Sequence, residues 1–128
     1  MAKILITDDN DACLELYALE FENAGHEVLF AINGEDAVRQ CREHAPDAVI
    51  LDIGMPERDG LEVLGEISAM HGGTPVIVNT AYPMFKLDYR ARTAANWIIK
   101  SSNIEDLVKA VEDVLAQKTD DEKRGDGE

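Results

Sequence analysis

The stretch VILDIGMPERDG, residues 49 to 60, decides the fold. Val49, Ile50 and Leu51 run straight into Asp52, and Met55-Pro56 and Asp59-Gly60 then break the chain. An isolated charge inside a buried strand carries a large desolvation cost. At the carboxyl end of a strand in a parallel sheet it does not, because there the sheet opens to solvent and ligands. The stretch is therefore read as a strand from Asp47 to Ile53, apolar on both faces, that ends on a carboxylate and turns away.

The same pattern repeats on either side. Lys3 to Thr7 (KILIT) is a short apolar run that ends at Asp8-Asp9. Residues 11 to 24 carry Cys13, Leu16, Tyr17, Phe21 and Ala24 at helical spacing, and Gly25 stands where a helix stops. Glu27 to Ile32 reads as a second strand, Asn33-Gly34 as a turn, and Glu35 to His44 as a helix that Pro46 closes. Beyond the quoted stretch, Gly60 to Met70 is helical, Pro75 to Thr80 (PVIVNT) a fourth strand, residues 83 to 95 weakly helical, and Trp97 to Ile99 a short fifth strand. Asn103 can cap a last helix bearing Ile104, Leu107, Val108, Val111 and Leu115. Five alternations of strand and helix predict an α/β fold: a parallel sheet with helices on both faces. From Gln117 onward the chain is polar and charged, and is expected to form a disordered acidic tail or linker stub after a domain over residues 1–116.

Composition bounds the function. One core fits 128 residues, and 45% of them are hydrophobic. A formal charge of −14 argues against nucleic acid as a partner and favours cations. No apolar run approaches the ~18 residues of a membrane span, and the N-terminus turns acidic too early for a signal peptide. The expected location is the cytoplasm. Cys13 and Cys41 lack metal-ligand spacing and read as core residues.

The polar breaks share one edge of such a sheet. Asp8 and Asp9 end the first strand, Asp52 the third, Thr80 the fourth and Lys100 the fifth. If strands one and three are neighbours, three carboxylates converge. At ~5 Å and an effective dielectric of ~20, each pair repels by roughly 3 kcal/mol. Lys100 supplies one positive charge, and a divalent cation would supply more. Hard oxygen ligands in a partly open site suit Mg2+. The chemistry this permits is phosphoryl transfer, with a carboxylate as nucleophile and a lysine and a hydroxyl on the phosphoryl oxygens.

These residues carry a resemblance. Asp8-Asp9, the DxxMPxxDG pattern from Asp52 to Gly60, Thr80-Ala81, and Lys100 three residues after Trp97 together resemble the receiver domain of two-component response regulators, over roughly residues 2 to 116. Any one of these motifs is weak alone, and their order gives the set its weight. The resemblance implies a doubly wound, flavodoxin-like sheet of order 2-1-3-4-5, the order known for the family's chemotaxis member. It implies that Asp52 accepts a phosphoryl group from a histidine kinase or phosphotransfer protein, and that the domain catalyses only its own phosphorylation and dephosphorylation. Asp9 would hold Mg2+ directly, Asp8 through water, and Asp52 and the Gly54 carbonyl would complete its ligands. Thr80 and Lys100 would bind the phosphoryl group. Thr80 and Trp97 would form a switch that changes the surface over residues 83–110.

Two departures and one patch bear on that expectation. The family usually has proline after its lysine, whereas Lys100 precedes Ser101-Ser102. A cis bond before a residue other than proline costs ~3–4 kcal/mol, so a trans bond is expected. Trp97 is larger than the usual tyrosine or phenylalanine and needs more room to swing inward. Lys86, Arg90 and Arg92 read either as a solvated helix face or as a docking patch for an acidic partner. Rival readings are a pseudo-receiver that only binds partners, a haloacid-type phosphatase and a flavodoxin-like electron carrier. Asp52-Ile53-Gly54 lacks the second acid of the phosphatase motif, and Asp8 to Asp11 would repel a flavin phosphate.

Overall fold

A computed structural model describes residues 2–54, 59–81, 94, 96–99 and 104–126, with the backbone alone for residues 96, 97, 99 and 118–126. The strands are β1 (Lys3–Thr7), β2 (Glu27–Ala31), β3 (Ala48–Leu51), β4 (Val76–Thr80) and β5 (Asn96–Ile99). The helices are α1 (Asp11–Asn23), α2 (Gly34–His44), α3 (Gly60–Ser68) and α4 (Ile104–Asp126), and a short 3-10 turn covers Met70–Gly72. The five strands form one sheet in the order β2-β1-β3-β4-β5, and every pairing is parallel. This is the expected fold class and strand order. The helix read over residues 83–95 falls almost wholly outside the described residues, as does the Lys100-Ser101 bond.

Alternate residues along each strand build two cores. Leu5, Val49, Leu51, Val76 and Val78 join Val38, Cys41, Leu61, Leu64 and Ile67 of α2 and α3 on one face. Ile4, Ile6, Ala48, Ile50 and Ile77 join Leu14, Tyr17, Phe21, Leu107 and Val111 of α1 and α4 on the other. The period-two geometry of a strand makes this division, and helices on both faces make it stable. Cys41 is fully buried, and burial pushes its thiol up to about 12. It therefore stays protonated and inert, as a core residue should.

The helix ends follow capping chemistry. Asn10 Oδ1 accepts from Cys13 N at 3.1 Å and starts α1. Asn33, read as part of a turn, is the cap of α2 and accepts from Asp36 N at 2.8 Å. Gly60 starts a helix, as its place after the chain break predicts. It opens α3 behind the Asp59 cap, whose Oδ1 accepts from Leu61 N at 2.9 Å. A Cβ on Gly60 would meet the Cα and carbonyl oxygen of Ile53 at 2.4 Å, so glycine is needed there for a close backbone approach.

One expectation is corrected at the C-terminus. The tail expected from Gln117 continues α4, whose backbone stays helical to Asp126. No proline or glycine interrupts residues 116–124, which are rich in helix formers such as Ala, Gln, Lys, Glu and Arg. The helix is nucleated where Leu107 and Val111 are buried, and extending it adds one bond per residue.

Two substitutions test this account. Gly60→Ala should lower stability by about 2 kcal/mol or more, read as a drop in the urea midpoint, because a backbone neighbour cannot move aside. Thr7 Oγ1 is buried and has no hydrogen-bond partner among the described residues. Thr7→Val should therefore raise stability by about 1 kcal/mol in the same measurement.

Candidate metal and phosphoryl site

Three strand ends build the site. β1 pairs with both β2 and β3, so the residues after Thr7 and Leu51 emerge side by side. Two backbone bonds fix them: Asp8 N donates to Ala31 O and Asp52 N to Thr7 O, both at 3.1 Å. Asp8 and Asp52 are buried, at 1% and 6% exposure, while Asp9 is exposed. One carboxylate oxygen from each of Asp8, Asp9 and Asp52 lies within 4.8 Å of the others. The expected convergence of the three acids is thus present.

Local donors orient two of these carboxylates. Asn10 N donates to Asp8 Oδ1, and Gly54 N donates to Asp52 Oδ1, each at 2.9 Å. Each acid thereby has one oxygen tied to its own loop. Gly54 belongs to the tight turn that leaves Asp52, and its amide serves to aim that side chain. Asn10 does two jobs that the sequence reading did not separate. Its side chain caps α1, and its backbone amide holds Asp8. The signal was visible, since an Asn directly after two acids and before a helix is a capping position.

Thr80 ends β4 at the same edge and is fully buried. Leu51 lies opposite Val78, so the fourth strand's last residues run beside the exit of Asp52. Thr80 is paired in turn with Ile99 of β5, the residue before Lys100. Lys100 itself lies outside the described residues, as do Lys86, Arg90 and Arg92. Trp97 is placed by its backbone alone, in register with Val78.

Three acids in one small space suit a hard divalent cation. They offer oxygen ligands of one sign, and a cation between them offsets their mutual repulsion. No helix among the described residues is long and apolar enough to cross a membrane.

The comparisons with known proteins agree with this geometry. The family model for the response regulator receiver domain matches residues 4–112. The chain is similar to a putative transcriptional regulator of Pseudomonas aeruginosa, with 35% identity over 119 residues, 91% of this chain and 58% of that protein. It therefore spans less than two thirds of the length of that relative. Its fold is similar to the response regulator protein TrrA of Thermotoga maritima in complex with Mg2+ and BeF, with a TM-score of 0.84 and 36% identity, over 89% of this chain and 99% of that one. It is also similar to TrrA in complex with the histidine kinase ThkA, with a TM-score of 0.82 and 36% identity, over 90% and 99% of the two chains.

Asp9→Asn tests the charge argument in two opposite directions. With Mg2+ chelated, the variant should be more stable than the parent by about 1 kcal/mol, because a like charge is gone. Its affinity for Mg2+, read by titration calorimetry, should fall by about tenfold or more.

Proposed function

The chain belongs to the response regulator receiver domain family, and on that premise we propose that it is a phosphoacceptor signalling module. Asp52 takes a phosphoryl group from a phosphohistidine on a histidine kinase or phosphotransfer protein. The observation that carries this is the clustering of Asp8, Asp9 and Asp52 within 4.8 Å at the carboxyl edge of the sheet. The similarity to TrrA, seen with Mg2+ and BeF and with a histidine kinase, supports it.

In this reading a carboxylate oxygen of Asp52 attacks phosphorus, the P–N bond to the donor histidine breaks, and an acyl phosphate forms. Gly54 N holds Asp52 Oδ1, so one oxygen is restrained. Asp9, Asp52 and the Gly54 carbonyl would hold Mg2+ directly and Asp8 through water, and the ion would supply charge stabilisation to the transferring phosphoryl oxygens. Thr80 and Lys100 take the remaining phosphoryl oxygens. The domain in this way catalyses only its own phosphorylation and its own dephosphorylation, in which water cleaves the acyl phosphate and releases inorganic phosphate. Thr80 and Trp97 would relay the change to the surface over residues 83–110, with Lys86, Arg90 and Arg92 as its basic patch.

The test is intact-mass measurement after incubation with acetyl phosphate and Mg2+. One phosphoryl adduct should form on the parent, none with EDTA, and none on Asp52→Asn. A parent that never gains the adduct would instead be a pseudo-receiver, acting by protein contact alone.

A further inference from the structure

The four exposed large hydrophobic residues among those described, Leu16, Leu19, Phe30 and Ile32, all lie on α1 or at the end of β2. One of them lines a slot. Asp11, Leu14, Glu15 and Phe30 line an open depression of about 190 Å³ between the first turns of α1 and the end of β2. That is below the ~300 Å³ at which small-molecule pockets begin, so the slot suits one long side chain. Its walls are of two kinds. Leu14 is buried and Phe30 is 43% exposed, which gives an apolar floor and an open aromatic ring. Asp11 and Glu15 are exposed, one helical turn apart, and neither forms an ion pair with a described residue. Like charges at that spacing weaken a helix slightly.

We propose that this slot receives a single lysine or arginine side chain from a protein partner that seats at the mouth of the acid site. A long cationic side chain matches both kinds of wall. Its methylene stem covers Leu14 and Phe30, and its charge meets Asp11 and Glu15. The Phe30 ring adds attraction for a cation over its face. Position links the slot to the site. Asp11 is two residues beyond Asp9, and Phe30 precedes Ala31, whose carbonyl holds the amide of Asp8 at 3.1 Å. A partner that reaches Asp52 along this edge covers the slot. The chain's net charge of −14 favours a basic partner surface over a second copy of itself. The role assigned to the partner rests on the phosphoacceptor reading above.

The experiment titrates the full chain, in saturating Mg2+, with N-acetyl-arginine methylamide and follows backbone amide shifts. Saturable shifts should appear at residues 11–15 and 30. They should be absent with the norleucine analogue, and lost in the Asp11→Asn/Glu15→Gln double variant. Linear shifts, or equal shifts in the double variant, would overturn the slot. Acetyl phosphate labelling of parent and double variant runs in parallel. An adduct on both with no saturable shift removes the slot alone. No adduct on either removes the phosphoacceptor reading and with it the slot's place beside a reacting site.

Discussion

Burial of the sheet on both faces is the constraint from which the rest of this molecule follows. The inner strands β1, β3 and β4 are largely apolar at odd and even positions alike, because α1 and α4 cover one face and α2 and α3 the other. Polar side chains then have few places to go along β1, β3 and β4. They collect at the strand ends, and in a parallel sheet the carboxyl ends all lie at one edge. Asp8, Asp52 and Thr80 are buried there as a consequence of the layering. The functional edge and the hydrophobic core are thus two results of one geometry.

The acid cluster opposes folding, and the loops around it contain the cost. Three carboxylates within 4.8 Å repel, and two of them are almost wholly withdrawn from water. Backbone amides of Asn10 and Gly54 offset part of this by donating to Asp8 and Asp52. Hydrogen bonds to charged groups contribute about 1.5–3 kcal/mol each, comparable with the repulsion of one pair. A divalent cation among the three oxygens would offset more of it. A site of this kind is less stable empty than filled, which makes cation binding and folding mutually supportive.

Much of the architecture could be read from residue spacing, and the misreadings have identifiable causes. Five strands were placed within a residue or two of their bounds, because alternating apolar runs and glycine or asparagine stops are local signals. Gly60 reads as the start of a helix after a chain break, and that placement holds, but the need for glycine there is not local. Its reason is the backbone of Ile53, seven residues earlier, which no local pattern reveals. The C-terminal segment was read as disordered from its polarity. Helix propagation from a buried start needs only tolerant residues, and polarity says little about that. No local pattern marks His26, whose Nδ1 accepts from Ala2 N at 3.2 Å and whose Nε2 meets Glu112 Oε1 at 2.8 Å, so that the ring ties the start of β1 to α4. Its partners lie 24 and 86 residues away.

The sequence by itself determined the class of fold, the strand order through its family resemblance, and the identity of the acids. These rest on short-range periodicity and on which residue types end each strand. Tertiary structure decided the rest. Parallel pairing of β1 with β3 brought Asp8 and Asp9 beside Asp52, across more than forty residues of chain. Packing of α3 against the turn after β3 made glycine necessary at position 60. The meeting of α1 with the end of β2 set Phe30 beside Asp11 and Glu15. Each is a distance between segments remote in sequence, and distances of that kind exist only once the sheet has formed.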